Sequence, residues 1–139
     1  MNPAIVIPSY WSNEERLGES GSVACYDHAT PIDTPAPQLA DCLKSLEQVA
    51  GLGSVVILVV ASPDVEERAV HRVSDIAATS GLPDVVIVDS FKAAGLRDQY
   101  AHMLPAELSG AIGLVGYGAV RNLGLLACCA LGCDVAVFI

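Results

Sequence analysis

Arg121 stands in an otherwise apolar stretch, one turn after the last of a run of glycines that ends at Gly116 and Gly118. A guanidinium beside the N–H groups of a helix start is an arrangement for meeting an anion such as a diphosphate; the other reading is an ion pair with a carboxylate such as Asp89. Asn122 beside it can cap or hold the adjacent loop backbone. Near the other end, Pro8, Ser9 and Tyr10 follow an apolar run. Their backbone groups could hydrogen-bond a base or ribose, and Tyr10 either offers a ring surface or packs at a strand end. Glu15 either accepts from ribose hydroxyls or stands solvated in a loop. Asp89 could reach a ribose, order the loop after it, or cap the next segment.

Other chemistries find less support. Cys25, Cys42, Cys128, Cys129 and Cys133 show no C-x-x-C spacing and His28, His71 and His102 are scattered, whereas structural zinc needs closely paired ligands. The cysteines read as small buried hydrophobes in a reducing cytoplasm. No histidine has a nucleophile beside it, and G-x-S-x-G is absent. Gly110, Gly113, Gly116 and Gly118 are too loosely spaced for a phosphate loop, and no Gly-Lys-Ser/Thr follows. The 139 residues carry 7 Lys plus Arg against 16 Asp plus Glu, a net charge of −9, with 53% hydrophobic and 5% aromatic residues. That apolar content excludes disorder, the acidity argues against nucleic acid and anionic membranes as partners, and the chain is long enough for one domain, residues 1–139. Arg121, Asn122 and Asp134 interrupt the apolar C-terminal region, leaving no stretch near the ~18 residues of a membrane span, and the apolar run Ala4 to Ile7, ended by Pro8, lacks the basic flank of an export signal.

The elements that must position these residues read as strands alternating with helices, the pattern of a parallel sheet covered on both faces. Strands are predicted over Ala4 to Ile7, which Pro8 ends, Ser54 to Val60, Val85 to Val88, and Val135 to Ile139, each a nearly continuous apolar run expected of a strand buried on both faces. Leu39, Leu43, Leu46 and Ala50 predict a helix from Pro37 to Ala50, stopped by Gly51. Ser62 as cap, Pro63, and then Val65, Ala69, Val73 and Ile76 predict a second, ended by Gly81. Val120, Leu123, Ala127 and Leu131 predict a third from about Gly118 to Leu131, stopped by Gly132. Two stretches break the rhythm: a long loop from Trp11 to Pro37, and Phe91 to Tyr117 with a short helix near Ala94 to Leu104. Both follow strand ends, the edge where open parallel sheets bind ligands.

Right-handed crossovers predict the strand order 3-2-1-4, in sequence numbering of the four strands, with a crevice where the order reverses beside Pro8-Ser9-Tyr10. Val135-Ala136-Val137-Phe138-Ile139, with no turn or polar tail after it, reads as a cut within a domain whose open strand exposes apolar surface and favours self-association.

Three segments resemble the GT-A fold nucleotide-diphospho-sugar transferases, in particular glycosyltransferase family 2. Ile5-Val6-Ile7-Pro8-Ser9-Tyr10 followed by Asn13-Glu14-Glu15 is similar to the family's opening strand and P-x-Y-N-E-E turn, with Trp11 and Ser12 inserted. Ser54 to Val60 is similar to its second strand, E-V-I-V-V-D. Most specific is Gly118-Ala119-Val120-Arg121-Asn122-Leu123-Gly124-Leu125 with Ala130 to Ile139, which resembles G-x-A-x-x-R-N-x-G leading into a strand ending V-L-F-L. The segments are spread over nearly the whole chain, with about thirty residues at motif positions.

The resemblance implies a three-layer Rossmann-like parallel sheet forming an incomplete GT-A domain. The chain would be the nucleotide-binding N-terminal part of an enzyme moving a sugar from a nucleotide-diphosphate donor to an acceptor hydroxyl. Pro8, Ser9, Tyr10, Glu15, Asp89 and Arg121 are then its nucleotide-binding candidates. Mg²⁺ or Mn²⁺ would act in the complete enzyme, with the D-x-D metal motif and the catalytic base outside this chain, so that this part alone catalyses nothing. The family's Asp after the second strand is replaced here by Ala61-Ser62-Pro63; either Asp64 substitutes or base recognition differs. That departure also suits a non-catalytic α/β binding or scaffold domain with a degenerate site. A nucleotidyltransferase would need a glycine- and basic-rich loop after the first strand, where Trp11-Ser12-Asn13-Glu14-Glu15-Arg16 stands instead.

Overall fold

The computed structural model describes residues 1–13, 29–35 and 37–139. Val55 to Ala61 is an unbroken apolar run rich in β-branched residues, a composition that requires cover on both faces of a strand. It forms Ser54–Ala61 (β3), buried from Ser54 to Val60. β3 pairs in parallel with Pro3–Ser12 (β1), from Ala4 opposite Ser54 to Trp11 opposite Ala61, and with Val85–Val88 (β4). The other edge of β1 takes Val135–Phe138 (β5) in parallel against Pro3 to Val6, and a two-residue parallel strand, Thr30–Pro31 (β2), against Trp11 and Ser12. The sheet is therefore parallel and five-stranded, on the path β2-β1-β3-β4 with β5 on β1.

Pro8 does not end the first strand, which continues to Ser12. In a parallel strand alternate residues turn their amide and carbonyl to opposite neighbours. The carbonyls of Val6 and Ser12 accept from Ile139 and Ile32, both on the β5/β2 edge, so Pro8, at the same parity, turns its missing N–H to that edge. There it falls between the end of β5 and the start of β2, where no ladder bond is lost.

Gln38–Leu46 (α1) and Glu66–Thr79 (α2) cover one face, packing Leu39, Leu43, Leu46, Ala69 and Val73 against Ile7, Val55, Ile57 and Val59. Ser90–Tyr100 (α3) and Tyr117–Ala130 (α4) cover the other, with Ala93, Val120, Leu123 and Ala127 against Ala4, Val6, Val56, Leu58 and Val60. The result is a three-layer, Rossmann-like α/β arrangement. α4 lies close to the sheet because Gly124 has no side chain: a Cβ there would come within 2.8 Å of Val6 Cγ1 and 2.9 Å of the Phe138 ring. Among the described residues no helix is long and apolar enough to cross a membrane.

Several boundaries differ from the periodicity. α1 stops at Leu46, since Glu47 to Ala50 are exposed and bury nothing. α2 begins at Glu66, and Ser62 does not cap it: Ser62 to Val65 form a turn closed by the Val65 N–H donating to the Ser62 carbonyl. α3 starts at Ser90, ahead of the expected Ala94, because Asp89 caps it by accepting from the Lys92 N–H at 2.9 Å. β5 is not buried on both faces; its residues alternate between exposed and half-buried. β2 is not visible in sequence as an apolar run. Arg72 of α2 holds the turn that follows it, donating to the carbonyls of Ile32 and Thr34 while its guanidinium lies 5.9 Å from the Trp11 ring.

Candidate functional site

Helices that alternate with parallel strands run back along them, so the start of α4 lies at the carboxyl edge of the sheet, beside the end of β1. Tyr117, the first residue of α4, packs its ring 5.6 Å from that of Tyr10 at an interplanar angle of 59°. Such a tilted pair is a favourable aromatic geometry. Tyr10 is half-buried, and Tyr117 is 54% exposed. The N-cap residue of α4, Gly116, takes φ 87°, a conformation that favours glycine. Arg121, one turn further on, is exposed, with its guanidinium 5.4 Å from the centre of the Phe138 ring at the end of β5. It forms no ion pair with Asp89. Asn122 donates from Nδ2 to the Ala111 carbonyl at 2.8 Å and so fixes the loop that precedes α4.

The Pro8-Ser9-Tyr10 segment lies within the sheet rather than beyond its edge. Ser9 is buried on the α1/α2 side, where its Oγ accepts from Trp11 Nε1 at 2.9 Å. Pro8 is half-buried on the opposite side, the one shared with Tyr10. The carboxyl end of β1 is therefore at Ser12, and the structure adds a residue there that spacing alone did not single out. Ser12 is 7% exposed, and its Oγ is buried with no hydrogen-bond partner among the described residues. Ser62, the next position in register after Ala61, has a buried Oγ in the same condition. A buried hydroxyl without a partner costs about 1–3 kcal/mol. Two of them stand at neighbouring positions on the carboxyl edge of the sheet, a polar feature with no partner among the described residues. The signal for Ser12 was present in the alternation of Tyr10, Trp11 and Ser12 with the strand before them.

Asp89 lies elsewhere. Its carboxylate caps α3, and it lines a cleft of about 340 Å³ with Pro63, Glu66, Glu67, Val70 and His71. Glu66 of α2 accepts from the Ser90 N–H at 3.1 Å, which locks this corner together. Asp89 follows β4 and Phe138 ends β5, three strand spacings apart, or roughly 14 Å. The structure thus brings Tyr10 and Tyr117 together, keeps Arg121 on the same edge, and separates Asp89 from them. Asp64 is exposed in the turn before α2. Glu15 lies outside the described residues, as do Cys25 and His28.

The described residues do not fit a divalent metal. Among them no group of three or more His, Cys, Asp or Glu could hold one, and no metal-dependent step is assigned to this chain. Of the cysteines, Cys128 is buried, Cys42 and Cys133 are half-buried and Cys129 is exposed, so they are not uniformly core residues. Compared with known proteins, the chain matches no family model, and no curated protein or solved structure matches it either.

Proposed function

We propose that this chain is the nucleotide-binding half of a GT-A-type glycosyltransferase, binding a nucleotide-diphosphate sugar whose sugar is transferred to an acceptor hydroxyl. The observation that carries the reading is the pair of buried hydroxyls of Ser12 and Ser62, without a hydrogen-bond partner among the described residues, at the carboxyl edge of a parallel sheet. In support, β5 and β3 flank β1 on opposite edges, as the order 3-2-1-4 requires, and a ligand crevice belongs at such a reversal. In this reading the hydroxyls meet the nucleoside, the Tyr10–Tyr117 pair gives it an apolar wall, and Arg121 with the start of α4 meets the diphosphate. The divalent metal, its D-x-D ligands and the catalytic base belong to residues outside this chain, and the enzyme works in the cytoplasm.

Ser12→Ala tests this by the sign of two effects. Removing an unsatisfied buried hydroxyl should raise the melting temperature of the ligand-free chain, while the affinity for a nucleoside diphosphate should fall by about tenfold, the value of one hydrogen bond. Reduced stability with unchanged nucleotide affinity would make Ser12 structural and remove the main support for the site.

The second reading is a non-catalytic α/β binding or scaffold domain. Ser9 and Asp89, two of the candidate ligand residues, have side chains engaged inside the fold, which favours it. A stable chain that binds none of the nucleoside diphosphates would decide for it.

A further inference from the structure

Cys128, Cys129 and Cys133 surround the end of α4. Gly132 takes φ 67°, the Cys133 N–H donates to the Cys128 carbonyl at 3.0 Å, and the Gly132 N–H donates to the Cys129 carbonyl at 3.1 Å. This is the Schellman ending of a helix, in which the residue after the glycine folds back onto the residue five before it and their side chains meet, usually as an apolar contact. Here both are thiols. We propose that Cys128 and Cys133 form an oxidisable pair, a modification site for peroxides that ties the end of α4 to the start of β5.

The backbone already supplies the spacing. With a 3.0 Å hydrogen bond between the two residues, standard bond lengths hold their Cα atoms within about 6.9 Å, inside the roughly 7 Å that a disulfide tolerates. Cys129, next in the helix, points about 100° away from Cys128 and lies exposed. Asn2 Nδ2 donates to Cys133 Sγ at 3.9 Å, a contact that steadies this sulfur beside the helix end. Burial, with smaller contributions from Cys133 and Cys129, pushes the Cys128 thiol up to about 11. The two thiols therefore divide the chemistry, and the half-buried Cys133 reacts first.

Cys133 sulfur attacks the peroxide O–O bond, taking one oxygen as sulfenic acid while the other leaves as water. Cys128 sulfur then displaces the hydroxyl from Cys133 sulfur and gives up its proton, and the second water departs. The peroxide gains two electrons and two thiols become one disulfide. The inference is independent of the nucleotide reading.

The test is mild oxidation of the full chain with hydrogen peroxide, alkylation of remaining thiols, tryptic digestion and mass spectrometry. No Lys or Arg follows Arg121, so the peptide Asn122 to Ile139 carries all three thiols. The expected product has lost two hydrogens, carries one alkylated cysteine and is restored by dithiothreitol. It should persist in Cys129→Ser and fall at least ~10-fold in Cys133→Ser and in Cys128→Ala, a variant that keeps the buried site apolar; circular dichroism confirms that each is folded. Persistence of the two-hydrogen loss without Cys128 or without Cys133, overoxidation of Cys133 in its place, or a link to the peptide holding Cys25 and Cys42 would overturn it.

Discussion

Ser9 and Ser12 are three residues apart on one strand, and strand alternation sends them to opposite faces and opposite fates. The Ser9 hydroxyl satisfies the indole of Trp11 inside the α1/α2 layer, whereas the Ser12 hydroxyl has no partner among the described residues. Ser9→Ala should therefore destabilise the fold by about 1–3 kcal/mol, because it orphans a buried indole N–H; denaturant titration would show it, and no loss of stability would mean that the indole finds another acceptor. The Ser9 hydroxyl is thus engaged within the fold, whereas the expectation for Pro8, Ser9 and Tyr10 concerned their backbone groups. Spacing pointed to this segment. It could not decide which hydroxyl was spent internally, since that depends on the parity of a strand whose end Pro8 concealed. Arg121 was legible as an oddity in an apolar helix, but its contact with Phe138 depends on how α4 settles on β5.

At the scale of elements, helices with complete apolar stripes were legible: Leu39 with Leu43, Ala69 with Val73, and Leu123 with Ala127 all reach the core. Their ends were less so, because caps depend on the local chain path. Ser62 looks like a cap and is not one, while Asp89 caps a helix that its own sequence barely marks as amphipathic. β2 was not legible at all, being two residues whose following turn is held by Arg72 from another element. Glycines separate packing from propensity. Gly124→Val should cost about 1–3 kcal/mol by forcing methyl groups into Val6 and Phe138. Gly95, inside α3, has open space where a Cβ would stand, with nothing within 4 Å, so Gly95→Ala should add about 0.5–1 kcal/mol from helix propensity. Thermal melts of the two variants should move in opposite directions, and a shared direction would contradict the packing assigned to α4.

At the scale of the whole molecule, the parallel sheet followed from the alternation of apolar runs with amphipathic ones, and the strand β5 with it, but the cover of β5 did not. β5 was expected to be buried, yet Val135 is 39% and Val137 43% exposed, because α1 and α2 cover β1, β3 and β4 but do not reach it. Its edge away from β1 has no partner among the described residues. An uncharged apolar edge strand on a chain of net charge −9 is a site for strand pairing. Light scattering should show self-association that grows with concentration and is suppressed by Val137→Lys; a monomer at all concentrations would contradict this. The central claim concerns the carboxyl edge of the sheet. Calorimetric titration with uridine and other nucleoside diphosphates tests it most directly, using the chain, Arg121→Gln and, as a control cation on α1, Lys44→Gln. The account predicts saturable binding to one site, weakened about 10- to 100-fold by Arg121→Gln through the loss of a charge-assisted hydrogen bond and unchanged by Lys44→Gln. Absence of binding, or equal binding by both variants, would contradict it.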